Sequence, residues 1–180
     1  MLTTILLTGG FHEDGLADSL DGLGGGWSRE QILLIMQDSR LGSYGALGLL
    51  MSLLLKFHTL AAITPELLPP LLIAGHSLSR LAAVWVIATQ RYVREQGKAK
   101  PLAQAITRAE LWLANLSGTA PLALLPFGVW PALAGVLMIW LYFSRILQRQ
   151  LGGYTGDCLG AMQQLCELAF YLGVLGCSSI

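Results

Sequence analysis

The sequence predicts an all-α protein: a polytopic membrane helical bundle with about five spans and an amphipathic helix at its cytoplasmic face. Of the 180 residues, 54% are hydrophobic and 12% are charged, whereas about 25% of residues are charged in a typical soluble domain. The mean hydropathy is +0.59, and several apolar runs approach the roughly 20 residues that cross a bilayer. We therefore expect a single membrane domain over residues 1–180. The balance of 11 basic and 11 acidic residues gives no bulk field that would favour nucleic acid.

The apolar segments define the predicted spans. Residues 42–63 and 67–90 form the first two spans. The apolar stretch 111–147 is long enough for two more, provided that the first of them begins near residue 106. A last span runs from about residue 159 to residue 176. The turn inside the shared stretch falls among three helix-breaking prolines, which are Pro121, Pro126 and Pro131.

A short amphipathic helix is expected ahead of the first span. In "WSREQILLIMQDSRLGSYG", Ser28 is placed to cap a helix, and Gln31 stands three residues later as its capping-box partner. Apolar residues recur at helical spacing opposite charged ones. We interpret residues 28–38 as a helix that lies at the membrane surface.

The basic residues of the loops predict the orientation of the bundle. Loop 91–108 carries five Lys or Arg residues and turn 145–157 carries two, whereas turns 64–70 and 118–132 carry none. The positive-inside rule therefore places the basic loops in the cytoplasm. Counting spans backward and forward puts the acidic N-terminal stretch and Asp157 on that same face.

The most informative stretch is "GGFHEDGLADSLDG", residues 9–22. Asp14, Asp18 and Asp21 follow an i, i+4, i+7 spacing, which places three carboxylates on one face of a helix. No Lys or Arg lies between residues 12 and 28 to offset them. Oxygen ligands gathered in this way suit Mg²⁺ or Mn²⁺, most often for holding substrate phosphates. The alternative is a solvated acidic loop with capping aspartates, since glycines flank it.

Two polar groups add candidates around this stretch. Asp38 is placed to be a fourth metal ligand and Arg40 to clamp a phosphate, although both also suit an ordinary helix end. In the spans, Arg80 is costly in hydrocarbon and should face a polar cavity or an acid, and Glu167 is its expected partner. His76 lies one turn before Arg80 on the same face, and a hydrogen-bonded contact is expected there rather than a metal.

The segment "RQLGGYTGDCLG" precedes the last span. Its glycines at a helix start could present backbone amides to a phosphate. The candidates are Gly152, Gly153, Thr155, Gly156 and Asp157. Asp157 could equally be an ordinary helix N-cap.

Together these motifs resemble the cobalamin synthase family, also called adenosylcobinamide-GDP ribazoletransferase. The resemblance is carried by five stretches that occur in family order over nearly the whole chain. They are "GGFHEDGLADSLDG", "IMQDSRLGSYG", "SLSR" at 77–80, "RYVREQG" at 91–97 and "LGGYTGDCLGAMQQLCEL". Family members usually carry further hydrophobic sequence ahead of the acidic motif, so we expect this chain to be truncated at its N-terminus.

The resemblance implies a multi-pass enzyme of the bacterial inner membrane whose active face is cytoplasmic. It would join α-ribazole or its 5′-phosphate to adenosylcobinamide-GDP, releasing GMP and requiring Mg²⁺. A homo-oligomer or an association with other cobalamin-assembly enzymes would be compatible with it. The positions that match the family are His12, Asp14, Asp18, Asp21, Asp38, Ser39, Arg40, Gly42, Arg80, Gly153, Thr155, Gly156, Asp157 and Glu167. Glu13 falls where the pattern is loose and is not carried over.

The chemistry of phosphoryl transfer suggests roles for these residues, because it needs charge neutralisation and alignment more than covalent help. The predicted metal ligands are Asp14, Asp18, Asp21 and Asp38. The predicted phosphate-binding residues are Arg40, Arg80, Gly153, Thr155, Gly156 and Asp157. An acid of the cluster, such as Asp18, or else His12, would take the proton of the ribazole hydroxyl.

Two other classes of protein remain open at this stage. The aspartate pattern is similar to that of CDP-alcohol phosphotransferases, D-x2-D-G-x2-A-R followed by G-x3-D-x3-D. Here, however, Asp18 stands where the arginine belongs. A divalent-cation carrier is the non-enzymatic alternative. A carrier should place its acids near the membrane midplane, whereas here they cluster towards one face.

Overall fold

The computed structural model describes residues 1–94 and 106–178. Within these residues the chain forms eight α-helices, two short 3₁₀ segments and no strand longer than an isolated bridge. The helices are α1 (Leu2–Thr8), α2 (Phe11–Gly25), α3 (Arg29–Ile35), α4 (Ser43–Ala62), α5 (Leu68–Thr89), α6 (Arg108–Thr119), α7 (Ala132–Gln150) and α8 (Gly156–Ser178). The predicted all-α membrane bundle is confirmed.

Four helical segments of the described chain are long and apolar enough to cross a membrane, one fewer than the sequence predicts. They are Ser43–Ala62, Leu68–Thr89, Phe127–Gln150 and Gly156–Cys177. The span expected to begin near residue 106 is instead the 12-residue helix α6, followed by 3₁₀ turns at Ala120–Leu124 and Phe127–Val129. Proline lacks an amide hydrogen, so the prolines at 121, 126 and 131 prevent a continuous helix.

The last helix, α8, forms the centre of the bundle. It packs against α2, α4, α5 and α7. Its apolar window is 67% buried, whereas the window of α4 is only 17% buried. Helix α4 therefore lies at the periphery with a broad apolar face exposed. A side chain that leaves α8 in almost any direction meets another helix, which makes α8 the scaffold for the polar groups described below.

Helices α1 and α2 form a single path that is broken at two glycines. Gly9 and Gly10 have φ angles of 63° and 71°, in the left-handed region that favours glycine. Helix α2 runs antiparallel to α4, because its C-terminal Asp21 contacts the start of α4 and its N-terminal Glu13 lies near Lys56. The acidic motif is therefore helical and packed into the bundle, not a solvated loop.

The polar loops meet at one end of the bundle, here called the polar end. Arg94 donates to the Met36 carbonyl at 3.1 Å, which brings the loop after α5 to the end of α3. The Tyr154 amide donates to the Arg91 carbonyl at 2.9 Å, and the Val93 amide donates to the Tyr154 carbonyl at 3.0 Å. The prediction that these segments share one face is confirmed. Lys98 and Lys100, which contributed to the orientation argument, lie outside the described residues.

The predicted surface helix forms as α3, at Arg29–Ile35, and is shorter than the expected 28–38. Ser28 accepts a hydrogen bond from the Gln31 amide at 3.3 Å, as a helix cap should. The Gln31 side chain accepts from the Trp27 amide at 3.1 Å instead of from Ser28, so the capping box is displaced by one residue. Ile32 and Met36 are buried and anchor α3 beneath the polar end.

Candidate active site

Two glycines allow α2 and α8 to approach closely at the polar end. A Cβ atom on Gly15 would lie 2.8 Å from the Asp157 carbonyl oxygen, and one on Gly160 would lie 3.2 Å from the His12 carbonyl oxygen. Contacts under 3.0 Å do not occur for real Cβ atoms, so Gly15 is required by the backbone packing. The close crossing brings the carboxylates of α2 next to the start of α8.

Asp14, Asp18 and Asp157 form an acidic cluster at this crossing. Asp14 is exposed and Asp18 is half-buried. Burial, which is the largest cause, and the negative charges of Asp14 and Asp157 together raise the pKa of the Asp18 carboxyl to about 6, while Arg94 opposes the shift. A half-buried carboxyl crowded by like charges favours a proton or a cation. The sequence placed Asp14 and Asp18 together, and the fold adds Asp157 as the third member.

Arg94, which was not among the site residues predicted from the sequence, connects the acidic cluster to the rest of the polar end. Its guanidinium lies 2.9 Å from the Asp157 carboxylate and also donates to the Met36 carbonyl. It could have been found, because "RYVREQG" is one of the stretches that carry the family resemblance. An arginine in this position limits the repulsion within the cluster and presents a cation to an incoming phosphate.

The glycine-rich segment before α8 has a structural role that the sequence did not predict: it allows a close backbone contact and caps the helix. A Cβ atom on Gly153 would collide with the Arg91 carbonyl oxygen. The Thr155 hydroxyl is buried and accepts a hydrogen bond from the Cys158 amide at 3.3 Å, so Thr155 and not Asp157 caps the helix. Gly156 is half-buried beside Asp157. Their predicted contact with substrate phosphates stays a prediction.

Asp21, a predicted metal ligand, caps α4. Its two carboxylate oxygens accept hydrogen bonds from the amides of Gly42 and Gly45, both at 2.8 Å. These are amides that the first turn of a helix leaves without a partner. A Cβ atom at either glycine would collide with the carboxylate, which explains the need for glycine there. In this structure, both oxygens of Asp21 are occupied with helix capping, although its charge still contributes to the raised pKa of Asp18.

Asp38 and Arg40 pair with each other at the surface. The Arg40 guanidinium lies 2.6 Å from Asp38, and the Arg40 amide also donates to the same carboxylate at 3.0 Å. These hydrogen bonds lower the pKa of Asp38 to about 2. Both residues are on the polar end, as predicted, but their charges compensate each other there instead of converging on the acidic cluster.

His12 and Arg80 form a second pair of predicted site residues, on α2 and α5. His12 is half-buried, and burial, together with the nearby Arg80 charge, lowers the pKa of its imidazole. The imidazole is therefore neutral at neutral pH. The expected pairing of Arg80 with Glu167 is wrong: the exposed Arg80 guanidinium donates to the His76 carbonyl at 3.0 Å. Arg80 lies at the surface, whereas Glu167 is enclosed within the core.

Glu167 belongs to a buried polar network that sequence reasoning missed. It lies 3.1 Å from Lys56 Nζ and 3.4 Å from His76 Nδ1. Lys56 also donates to the Gln164 side chain at 2.7 Å, and Gln164 donates to Glu13 at 2.9 Å. Glu13, which the family pattern sets aside, is therefore buried and tied to the core. The available signal was Lys56, a cation deep in a predicted span and thus in need of an acid.

No three His, Cys, Asp or Glu side chains converge closely enough to hold a metal ion in the described ranges 1–94 and 106–178. As arranged here, the acidic cluster is therefore not a formed metal site, and what it offers a divalent cation is a concentration of negative charge. It gathers three carboxylates, one of them with a strongly raised pKa, around a single compensating arginine. Asp21 and Asp38 are less suitable, because their oxygens already accept hydrogen bonds from amides or from Arg40.

Fold and site together define a membrane enzyme whose carboxylates and cations are concentrated at one end of a helical bundle. A family model described as cobalamin-5-phosphate synthase matches residues 1–175. The chain belongs to this cobalamin-5-phosphate synthase family.

Three named relatives are similar to this chain over almost its entire length. The adenosylcobinamide-GDP ribazoletransferase of Shewanella woodyi is 51% identical over 187 residues, which cover 99% of this chain and 72% of the relative. The protein of the same name from Shewanella halifaxensis is 50% identical over 183 residues, covering 97% and 70%. The one from Shewanella oneidensis is 48% identical over 184 residues, covering 97% and 69%. No solved structure matches the chain.

Proposed function

We propose that the chain is an adenosylcobinamide-GDP ribazoletransferase of cobalamin biosynthesis. It joins α-ribazole or α-ribazole 5′-phosphate to adenosylcobinamide-GDP and releases GMP. The observation that carries this conclusion is the match to the family over residues 1–175, together with about 50% identity to relatives of that name. The geometry supports it, because the acidic cluster is paired with the cation Arg94, and the exposed cation Arg80 lies near His12.

Mg²⁺ is the proposed cofactor, with Asp14, Asp18 and Asp157 as its carboxylate ligands. When bound, a divalent cation neutralises phosphate charge and polarises the phosphorus–oxygen bonds. The support for this site is the proximity of the three carboxylates, because the charges of Asp14 and Asp157 add to burial in raising the pKa of Asp18. Asp21 was predicted to be a metal ligand, and we propose a positioning role for it instead. By capping α4 it fixes α2, which carries Asp14 and Asp18, against α4.

His12 is the proposed base for the ribazole hydroxyl. A general base must be unprotonated at the working pH, and burial together with Arg80 keeps the imidazole in that state. Arg80 on α5 would contact the phosphoryl group opposite His12. Arg40 would bind a phosphate only after exchanging its contact with Asp38, which is favourable when an incoming dianion replaces a single carboxylate.

The proposed location is the bacterial inner membrane, with the polar end in the cytoplasm. The four apolar helices support a membrane location. The orientation is supported by the basic residues at this end, including Arg91 and Arg94, because cytoplasmic loops are rich in Lys and Arg. Both nucleotide substrates and the cation would then approach from the same side.

The test is release of GMP by the purified protein from adenosylcobinamide-GDP. We expect release only when α-ribazole or its 5′-phosphate and Mg²⁺ are both present. Release without ribazole would indicate a hydrolase, and release of CMP from a CDP-linked lipid would instead indicate a CDP-alcohol phosphotransferase. His12→Gln should lower kcat at least 100-fold, as expected for loss of a general base, with little change in KM.

A further inference from the structure

An open cavity lies at the polar end, outside the acidic cluster. It has a volume of about 620 Å³ and lies between the end of α5 and the last turns of α7. The residues that define its chemistry are Gln90, Arg91, Trp140, Ser144, Arg145 and Gln148. None of these residues has a role in the proposed reaction. The cavity is therefore a candidate site for a different ligand.

The charge of this cavity is positive and uncompensated. Arg91 and Arg145 both line it, and no acidic side chain does. Neither arginine forms an ion pair with any part of the chain that the structure describes. Two guanidinium groups directed at one space suit a phosphate, which accepts several of their hydrogen bonds at once.

Two polar atoms in the wall lack hydrogen-bond partners. Ser144 is only 9% exposed, and its hydroxyl has no partner among the described residues. The same holds for the side-chain oxygen Oε1 of Gln90, although the side-chain Nε2 of Gln90 donates to the Ser144 backbone carbonyl at 3.0 Å and thereby fixes the side chain. Buried polar groups are normally satisfied. A ligand with phosphate acceptors and a hydroxyl donor would satisfy both.

An apolar cavity shares one wall residue with this cavity. Trp140 lines both spaces, and its indole is held by a hydrogen bond of 3.1 Å to the Ala82 carbonyl. The second cavity, of about 410 Å³, lies between α5, α6 and α7 and extends to Leu133. From Arg145 to Leu133 the helical rise is about 18 Å, a distance similar to the length of an extended acyl chain.

We propose that this groove binds one anionic phospholipid, with the phosphate at Arg91 and Arg145 and an acyl chain beside Trp140. The lining is positively charged at Arg91 and Arg145 and apolar beside Trp140. This favours a lipid over a soluble phosphate ester, because a soluble ligand would leave the apolar part of the groove unoccupied. The two arginines also favour an anionic headgroup, which distinguishes the bound lipid from the other lipids of the surrounding bilayer. The bound lipid connects α5, α6 and α7 without contacting the acidic cluster.

The test uses tryptophan fluorescence of the purified protein in a mild detergent. Phosphatidylglycerol with brominated acyl chains should quench Trp140, and brominated phosphatidylcholine should need at least a tenfold higher concentration. The Trp140→Phe variant should lose the saturable part of the quenching. Equal quenching by both lipids would overturn the proposal, as would displacement of phosphatidylglycerol by inorganic phosphate or glycerol 3-phosphate at equal concentration.

Matched arginine variants separate the site from general surface charge. Arg91→Gln combined with Arg145→Gln should weaken phosphatidylglycerol binding at least tenfold. Arg149→Gln removes an exposed charge from the same helix, outside the cavity, and should leave binding unchanged. A similar loss in the Arg149 variant would refute a specific site. All three side chains are exposed, and an unchanged thermal midpoint in lipid-free detergent will confirm that the variants fold.

Discussion

Lys56 of α4 and Glu167 of α8 form an ion pair inside the bundle, with Nζ 3.1 Å from Oε1. The two side chains are only 8% and 3% exposed. Gln164 extends the pair to Glu13, which places the N-terminal part of α2 in the same network. The network therefore joins the peripheral helix and the acidic helix to the centre of the fold.

Removing one partner of this ion pair should destabilise the protein strongly. We expect Lys56→Met or Glu167→Gln to lower the free energy of unfolding by about 3–5 kcal/mol, because each leaves a buried polar group without its partner. The double variant should lose less than the sum of the two single losses. Denaturant unfolding in detergent measures this, with the exposed Arg29→Gln as a control. Additive losses would show that the two residues do not interact.

Asp21→Ala should weaken the start of α4 but leave the proposed Mg²⁺ site intact. The side chain caps two amides, and loss of such a cap costs about 1–2 kcal/mol. Mg²⁺ should still raise the thermal midpoint of this variant, whereas it should have no effect on Asp18→Asn. Loss of the Mg²⁺ response in a folded Asp21→Ala protein would instead identify Asp21 as a metal ligand.

The raised pKa of Asp18 should make the metal-free protein less stable as the pH increases. Its carboxyl has a pKa of about 6 in the fold against 3.8 in the reference state, so it binds a proton more tightly when folded. Its favourable contribution is complete below about pH 4 and is lost as the pH rises through 6. With a discount for partial exposure, we expect a loss of about 1–2 kcal/mol by pH 7.

Comparison of two aspartate variants isolates that effect. Asp18→Asn should flatten the dependence of unfolding free energy on pH between 5 and 7.5. Asp38→Asn should leave it unchanged in that range, because Arg40 already lowers the pKa of Asp38 to about 2. The measurement is denaturant unfolding at several pH values without divalent cations. An unchanged pH slope in Asp18→Asn would contradict the crowding of charge at the acidic cluster.

Gly15→Ala should separate α2 from α8 and reduce activity. The added methyl group would lie 2.8 Å from the Asp157 carbonyl oxygen, so the helices must move apart. Because misplacement by about 1 Å can cost 100-fold in rate, we expect kcat to fall by about that factor. Gly176→Ala is the matched control: it lies on α8 in open space and should be neutral or slightly stabilising. Comparable activity losses in both variants would rule out the crossing as the cause.

The spans and the grouping of polar loops could be predicted because both depend on local patterns. Apolar runs placed α4 and α5 within one or two residues of their observed ends. The hydropathy pattern could not show that α6 ends after 12 residues, because an apolar stretch that contains prolines has the same hydropathy whether or not it is helical. The helical spacing of Asp14 and Asp18 was visible in sequence, but it does not show which neighbouring helix they face.

Side-chain partners were the part that sequence could not supply. Asp21 belongs to the same periodic series as Asp14 and Asp18, yet it faces the amides of α4. The choice of Lys56 over Arg80 as partner of Glu167 depends on the rotation of α5 and α4 about α8. Such rotations follow from tertiary packing, and a single sequence carries no direct record of them.

The position of α2 has a consequence for how the molecule is built. The four apolar helices have the length and composition to cross a membrane, whereas α2 carries four carboxylates, and an aspartate at the membrane centre costs about 2.5–3.5 kcal/mol. The buried partners of α2 come from α4 and from α8. We therefore expect α2 to take its place only after α4 and α8 are both in the membrane, so that the acidic cluster forms on helices that have already packed.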